Sequence, residues 1–445
     1  MFGEQELRRV ADSVLSASQA DETEVLIFAR DSQLTRFANS TIHQNVAERD
    51  RTVRVRVMVD KRTGVASTND LTEAGLQAVV ARAASSARVQ PPNPELLPLP
   101  AARPVPRVDA FSEATASCQP QARAQAVRAI CRLAQEAGLV ASGAFTTAQQ
   151  ELAVANSVGL FAYHPSTVAD LNTVIMGDDS SGYASQTDFD AGRIDAESIG
   201  REAVNKALRS RNPRDLEPGV YPVFLEAYAV GDLLMYMSYL AFGALAVQEG
   251  RSFLGGRFGE QVMDPRLSIW DDGLDPAGLP LPFDFEGLPK QRVDIIVDGV
   301  ATGVVYDRET AVREGRESTG HSLPAPNTMG PLPTHLFMAP GNATREEMLR
   351  SLDRGLWVTR FHYVNPVHPL RAVLTGMTRD GTFLIERGEI TAPVKNLRFT
   401  QGAVEALNHV VAVGERTILQ RGWYGGQRAP DLALGEFRFS GTTEF

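Results

Sequence analysis

The sequence of 445 residues contains little cysteine and little histidine. Its two cysteines, Cys118 and Cys131, form no CxxC pair and are too few for a disulfide framework or a cysteine-rich metal site. The seven histidines include no HExxH or HExxxH, spacings that combine two zinc ligands with a carboxylate on one helix. Scarce cysteine is typical of a reducing compartment, so we expect a cytoplasmic protein.

Positive charge and long apolar runs are also scarce. Lys and Arg total 44 against 54 for Asp and Glu, a net charge of −10. Proteins that bind nucleic acid need basic faces, so we expect no direct nucleic-acid partner. The longest apolar run, Leu233 to Val247, is shorter than the ~20 residues of a membrane span and is expected to be a buried helix. The first residues lack the pattern of a signal peptide, and no membrane partner is expected.

Motifs for nucleophiles and for phosphate binding are missing as well, because neither GxSxG nor GxxxxGK[ST] occurs. His362 and His368 are separated by Pro366, which disfavours one helical face for both. We therefore predict no catalytic, metal-binding or cofactor-binding residue in this chain. A polar tract at 316–328 is expected either to line a cleft or to be an ordinary surface loop.

The first half has an internal repeat. A helix, strand-like segments and a second helix recur in the same order. Phe37-Ala38-Asn39-Ser40 is matched by Val154-Ala155-Asn156-Ser157, and Gly64-Val65-Ala66-Ser67 is matched by Gly182-Tyr183-Ala184-Ser185. Two short motifs at matched spacing indicate two related α+β units, each a small antiparallel sheet flanked by helices.

Proline and turn residues mark the expected boundaries. Prolines stiffen a linker at 89–107, so the repeat units are predicted at about 1–90 and 108–212. The fold class is predicted to be α+β, with an N-terminal α+β domain at 1–217 and a β-rich domain at 218–445 that contains the buried apolar helix. Within the second domain, Asp380-Gly381 predicts a hairpin, and helices are predicted near 345–352 and 402–413.

A series of short motifs in the second half occurs in a distinctive order. They are Ser252-Phe253-Leu254, Gly259-Glu260-Gln261-Val262, the strand pair at 294–307, Ser318-Thr319-Gly320-His321, Asn327-Thr328, Gly355-Leu356-Trp357-Val358-Thr359 and the segment 376–390. Together with Asn-Ser-x-Gly at 156–159, they resemble the TldD/PmbA family of bacterial and archaeal metalloproteases, also called modulators of DNA gyrase. The resemblance extends over essentially the whole chain.

The resemblance implies a zinc-bearing subunit with HExxxH on a helix early in the C-terminal half and a cysteine near the C-terminus. In this sequence Met235 and Leu240 occupy the positions of the two histidines, and Tyr236 occupies that of the glutamate. Tyr424 lies where the cysteine is expected. The chain is therefore similar to the PmbA (TldE) branch, which supplies the zinc-free partner of a heterodimer.

The resemblance implies a non-catalytic subunit that helps to enclose a peptide-processing chamber. Its partner would be a TldD-like subunit with HExxxH and zinc, or a second copy of the chain, and an extended peptide would bind through its main chain. The candidate cleft-lining or partner-facing residues are Met235, Tyr236, Tyr239, His321, Asn327, Thr328, His362 and Tyr424. Two alternatives stay open: a zinc-independent family enzyme that acts on a peptide or small molecule as a homodimer, with Glu226 a further candidate, and a protein-binding scaffold.

Overall fold

The first half of the chain forms one sheet with helices on one face. A computed structural model describes residues 1–443. In chain order the elements of the first half are α1 (Glu4–Ala17), β1 (Glu22–Ala38), β2 (Thr41–Val59), β3 (Arg62–Thr68), α2 (Glu73–Arg88), α3 (Glu113–Ala116), α4 (Pro120–Glu136), β4 (Val140–Asn156), β5 (Phe161–Met176), β6 (Ser181–Asp188) and α5 (Ala196–Arg209).

The two repeat units share this sheet. Its six antiparallel strands have the order β3-β2-β1-β4-β5-β6, so three strands from each unit meet at the pairing of β1 with β4. The predicted α+β class is confirmed, but the two small sheets expected from the repeat are one continuous sheet. Odd-numbered residues of β1 and β4 pack under the helices, α1 and α2 over one unit and α4 and α5 over the other. Even-numbered residues near the centre of the sheet, such as Leu26 and Leu152, pack against the second half.

The repeated glycines bring a helix close to a strand in each unit. A Cβ atom on Gly64, in β3, would lie 2.1 Å from the Ala83 carbonyl oxygen of α2. A Cβ atom on Gly182, in β6, would lie 2.2 Å from the Ala203 carbonyl oxygen of α5. Each copy of the sequence motif therefore places a glycine where a helix packs closely on a strand.

The second half is built around a closed set of strands. Its elements are β7 (Gly219–Leu225), α6 (Ala227–Ala241), α7 (Ala244–Gln248), β8 (Ile269–Asp271), β9 (Val293–Val297), β10 (Val300–Ala301), α8 (Arg308–Arg313), β11 (His335–Met338), α9 (Arg345–Arg350), β12 (Arg354–His368), β13 (Val373–Glu386), β14 (Glu389–Pro393), β15 (Leu397–Gly402), α10 (Ala403–Ala406), β16 (Val410–Arg421) and β17 (Gly426–Thr442). The strands β7, β12, β13, β15 and β17 pair in a ring, because β17 also pairs with β7. Helix α6 packs on these strands and belongs to the largest apolar core.

Three local predictions for the second half need correction. The apolar run is not one helix, because α6 ends at Ala241 and α7 begins at Ala244 after Gly243, whose missing side chain makes room for the Pro331 carbonyl. Asp380-Gly381 is a bulge within β13 and not a hairpin, since both residues have positive φ where the pairing with β12 shifts. The helix expected at 402–413 is limited to α10, because β16 begins at residue 410.

The helix predicted near 345–352 is confirmed. A helix covers most of 345–352, and its capping box at Thr344 and Glu347 explains where it begins. The turn at Arg387-Gly388 joins β13 to β14. Among the helices of residues 1–443, none has both the length and the apolar character that crossing a membrane requires.

Candidate functional site

The start of helix α6 is fixed by a buried network of charges. Glu226 is the N-cap residue and is fully buried. Its carboxylate accepts hydrogen bonds from Lys206 Nζ at 2.7 Å and Trp357 Nε1 at 2.6 Å. The first free N–H of the helix, on Ala227, donates to Asp431 Oδ1 at 2.7 Å. This network joins α5, α6, β12 and β17, and so positions α6 relative to both halves of the chain.

The same network extends to the surface through Glu202. Burial raises the pKa of the Glu226 carboxyl, an effect that Lys206 opposes. Burial also acts to raise the pKa of Glu202, but Lys206 and Arg416 outweigh it and lower that pKa to about 2. Glu202 is therefore the ionised partner of both cations at neutral pH.

Helix α6 lines a small cavity, here called the α6 cavity. Met235, Tyr236 and Tyr239 face it from the helix, and Trp423 and Tyr424 face it from the turn between β16 and β17. The cavity has a volume of about 190 Å³ and is closed on its other side by apolar residues of the segment 323–336. The structure thus brings together four of the predicted candidates, Met235, Tyr236, Tyr239 and Tyr424.

The turn at 422–425, here called the 422–425 turn, is tightly supported. Gly422 N donates to Gly425 O at 2.8 Å, and a Cβ atom on Gly425 would lie 2.2 Å from the Thr334 carbonyl oxygen. The Tyr424 ring packs edge-on against Phe285, with 4.9 Å between the ring centroids. Only glycine at residue 425 lets the turn pack this closely on the Thr334 backbone. This packing holds Trp423 and Tyr424 at the cavity.

Exposed apolar side chains surround the cavity. Tyr239 is 44% exposed and Trp423 is 80% exposed. The Tyr236 hydroxyl donates to the Val364 carbonyl oxygen, which places the hairpin arm 362–371 beside α6. Tyr363 of this arm is 76% exposed. A surface with several exposed aromatic side chains is typical of a site that contacts another molecule.

The residues at the α6 cavity do not fit a zinc ion. Zinc sites in proteins use thiolate, imidazole or carboxylate ligands, whereas Met235 offers a thioether, and Tyr236 and Tyr424 offer neutral phenols. Leu240 does not face the cavity at all, because it is buried in the main core. Within residues 1–443, no group of three or more His, Cys, Asp and Glu side chains has a metal-binding arrangement.

His321 does not line a cleft, which corrects the prediction. Its side chain is fully buried, and Nε2 lies 2.8 Å from Asp271 Oδ1 while Nδ1 lies 2.9 Å from Thr319 Oγ1. The second oxygen of Asp271 accepts from the His335 backbone N–H. Burial lowers the pKa of His321, and Lys290 lowers it further. The imidazole thus joins the loop at 319–321 to β8, and Asp271 in turn bonds β11 inside the protein.

The other predicted candidates lie outside the α6 cavity. The Asn327 amide closes a local turn by donating to Gly330 O at 2.9 Å and accepting from Met329 N. Thr328 is exposed on that turn, and His362 is half-buried in β12, where burial and Arg379 lower its pKa. These residues are not brought together with Met235 or Tyr424.

Sequence reasoning missed Trp423, Ser238 and Met329 as cavity residues. Ser238 Oγ donates to Pro333 O at 2.8 Å and so ties α6 to the opposite wall. The signal for Trp423 was available, because two adjacent aromatic residues flanked by glycines at a strand turn are expected to be displayed. No local pattern pointed to Ser238 or Met329.

Solved structures with the same fold identify the structural class. TldE from Thermococcus kodakarensis matches with a TM-score of 0.89 at 20% identity, covering 98% of this chain and 100% of that chain. A putative modulator of DNA gyrase from Thermotoga maritima matches with a TM-score of 0.87, also at 20% identity and with the same coverage. At this level of identity the likeness defines the fold.

Sequence families identify the chain more closely. Residues 218–441 match the PmbA/TldA metallopeptidase C-terminal domain, residues 23–87 match its domain 1, and residues 113–211 match its central domain. The chain therefore belongs to the TldD/PmbA metalloprotease family, as its motifs indicated.

Curated relatives agree with this family. The metalloprotease PmbA of Escherichia coli O157:H7 is 26% identical over 426 residues, which are 90% of this chain and 89% of that protein. A TldD homologue of Haemophilus influenzae is 27% identical over 234 residues, 52% of this chain and 48% of the relative. An uncharacterized protein of Methanocaldococcus jannaschii is 33% identical over 201 residues, 44% of this chain and 46% of the relative. The chain thus spans about half the length of the last two.

Proposed function

We propose that this chain is a zinc-free subunit of a TldD/PmbA-type metalloprotease. It encloses a peptide-processing chamber together with an HExxxH-bearing subunit that holds the zinc, in the cytoplasm. The observation that supports the proposal is the α6 cavity. Where the resemblance places zinc ligands and a general base, the cavity presents Met235, Tyr236 and Tyr424. None of these side chains activates a zinc-bound water.

The exposed surface around the cavity supports a partner of this kind. Tyr239 and Trp423, which line the cavity, and Tyr363, next to the Val364 that Tyr236 contacts, expose large aromatic areas. Aromatic side chains are enriched at protein interfaces, where they supply much of the binding energy. An extended peptide held between two such surfaces would bind through main-chain hydrogen bonds, which gives little sequence preference.

The test is co-expression with the HExxxH-bearing family member of the same genome. We expect the chain alone to hold no zinc and to cleave no unstructured peptide, whereas a 1:1 complex holds one zinc and cleaves it. Elemental mass spectrometry, light scattering after size-exclusion chromatography and a peptide-cleavage assay give the three readouts. Stoichiometric zinc in the isolated chain would overturn the proposal, and turnover by a homodimer would favour a zinc-independent enzyme.

Charge placed on the aromatic surface tests the interface directly. Trp423→Glu and Tyr239→Glu are expected to weaken the complex at least tenfold, because a buried, unpaired carboxylate is costly. Both side chains are exposed in the single chain, so its unfolding midpoint is expected to change little. Val89→Glu is the matched control, since Val89 is 81% exposed and follows α2, away from the cavity. Complex formation unaffected by all three changes would place the interface elsewhere.

A further inference from the structure

A second cavity lies between the two halves of the chain, on the other side of the 422–425 turn. This interdomain pocket has a volume of about 370 Å³. Gly422, Trp423 and Tyr424 line both it and the α6 cavity, so this turn lies against both spaces. A chain that passed over the turn would reach from one cavity to the other.

The floor of the interdomain pocket is the open face of the six-stranded sheet. Even-numbered residues such as Phe28, Arg30 and Leu152 face it, while the odd-numbered neighbours of the same strands pack under the helices. Its roof comes from the second half, with the segment 279–281, Phe285 and the 422–425 turn. Sheet alternation therefore determines which side chains reach the pocket.

Two arginines, Arg30 and Arg421, lie close together in this pocket. Arg30 Nε is buried and has no hydrogen-bond partner, and within residues 1–443 neither Arg30 nor Arg421 forms an ion pair. Burial lowers the pKa of Arg30, and the nearby charge of Arg421 lowers it further. A third arginine of the lining, Arg54, donates to the Ala325 carbonyl oxygen at 3.1 Å. Guanidinium groups that face each other in a partly enclosed space attract an anion.

The acidic residues near the pocket offset these arginines only in part, since Glu48 and Asp50 oppose the lowering of the Arg30 pKa but form no ion pair with it. Glu151 belongs to the opposite face of the sheet, where it accepts hydrogen bonds at 2.8 Å from the backbone N–H groups of Phe2 and Gly3. Asp50 is the cross-strand neighbour of Arg30 but forms no ion pair with it. Three arginines, Arg30, Arg54 and Arg421, thus line the pocket, and the one lining carboxylate on their face of the sheet within residues 1–443 is that of Asp50.

Aromatic rings form one part of the pocket wall. Phe28 lies 5.7 Å from Phe285, and Phe285 lies 4.9 Å from Tyr424, measured between ring centroids. His164 closes one side, with Nε2 at 3.1 Å from the Pro280 carbonyl oxygen. An anion that fits this site therefore has an apolar group attached to it.

We propose that the interdomain pocket binds the C-terminal carboxylate of an extended peptide, with Arg30 and Arg421 contacting the carboxylate and the aromatic rings contacting the last side chain. The peptide nature of the ligand rests on the proposed function. The charge and the apolar wall rest on the pocket alone. The arrangement selects peptides whose last residue is apolar and has a free terminal carboxylate. It also fixes the direction of a peptide that extends over the 422–425 turn.

Calorimetric titration of the purified full chain tests this site without a partner or zinc. The probe is an acetylated pentapeptide, four alanines and a final phenylalanine, with either a free carboxylate or an amide at its end. We expect the free acid to bind at least tenfold more tightly than the amide. Equal affinity for the two forms, or binding of neither, would overturn the proposal. A third peptide, amidated and ending in glutamate, separates a terminal carboxylate from one on a side chain, and preference for it would also count against the site.

Variants assign the effect to the pocket. Arg421→Gln, on an exposed side chain, is expected to remove the preference for the free acid without lowering the unfolding midpoint, and Arg30→Gln is expected to do the same. Asp50→Asn is expected to strengthen binding of the acid, because it removes the negative charge beside Arg30. Arg354→Gln is the control, since Arg354 is exposed at the start of β12 and outside the pocket. A preference that survives Arg421→Gln and Arg30→Gln would refute the assignment. These titrations stand whether or not a zinc-bearing complex forms, so the two proposals can fail separately.

Discussion

Glu226 shows how a single side chain can position a whole helix. It is fully buried and accepts hydrogen bonds from Lys206 of α5 and Trp357 of β12. A buried ion pair contributes little net stability compared with apolar packing, but loss of one partner leaves the other charge buried and uncompensated. The sequence alone identifies Glu226 as a candidate but does not reveal its structural role, because its partners are 20 and 131 residues away along the chain.

Glu226→Ala is expected to lower the free energy of unfolding by about 3–5 kcal/mol, the cost of breaking a buried pair. Glu226→Gln is expected to cost less, because its amide oxygen still accepts from the Trp357 N–H. Urea unfolding followed by tryptophan fluorescence measures both. The control is Glu346→Ala, which breaks an exposed ion pair with Arg350 and is expected to cost less than about 1 kcal/mol. Equal effects at the two sites would show that the Glu226 network is not structurally important.

The helices and strands agree with the sequence-based predictions where the local pattern of apolar residues is clear. Both repeat units show the predicted order of helix, strands and second helix, and the repeated Gly-x-Ala-Ser motifs lie in β3 and β6. Local patterns fail where distant chain segments decide the outcome. Asp380-Gly381 has the composition of a hairpin turn, but β13 continues past it because β12 offers a partner on both sides of the bulge. The α6 cavity is equally non-local, since Tyr236 contacts Val364, 128 residues further along the chain.

The two repeat glycines make a quantitative prediction for the packing of helix on strand. Gly182→Ala and Gly64→Ala are each expected to lower the free energy of unfolding by about 2 kcal/mol or more, because the added methyl group would overlap helix backbone atoms. Gly435→Ala in β17 is the control, since its nearest neighbour would lie 3.6 Å away, an ordinary contact. Thermal unfolding of the three variants gives the comparison. A Gly182→Ala variant as stable as Gly435→Ala would contradict the close packing.

In the whole molecule, polar contacts tie the sheet of the first half to the second half. Arg56 of β2 donates hydrogen bonds to Glu24 of β1 and to Glu286 of the second half, and His164 of β5 lies against the Pro280 carbonyl. Burial lowers the pKa of His164 to about 4. The unfolded chain protonates this histidine near pH 6.5, so between pH 6.5 and pH 4 only the unfolded state takes up the proton.

Stability is therefore expected to fall as the pH drops below 6.5, with a contribution from His164 of about 2 kcal/mol by pH 5. Well above pH 6.5 the histidine is neutral in both the folded and the unfolded chain, so this loss of stability is absent. His164→Gln, which keeps a side-chain donor for the Pro280 carbonyl, is expected to reduce the loss of stability between pH 7.5 and pH 5. Urea unfolding at the two pH values checks this, with His43→Gln, on an exposed histidine, as control. The same pH dependence in His164→Gln and the wild-type chain would show that the histidine is not held neutral.

The ring of strands in the second half has a consequence during synthesis on the ribosome. The sheet of the first half is complete once residue 188 has been made, so it is able to form while translation continues. The ring is different, because β7 at Gly219–Leu225 pairs with β17 at Gly426–Thr442. Until β17 leaves the exit tunnel, β7 lacks one neighbour and the apolar face of α6 lacks part of its cover. The nascent second half thus exposes apolar surface and an unpaired strand edge while about 200 further residues are translated. It is the part of the chain that a chaperone is expected to bind.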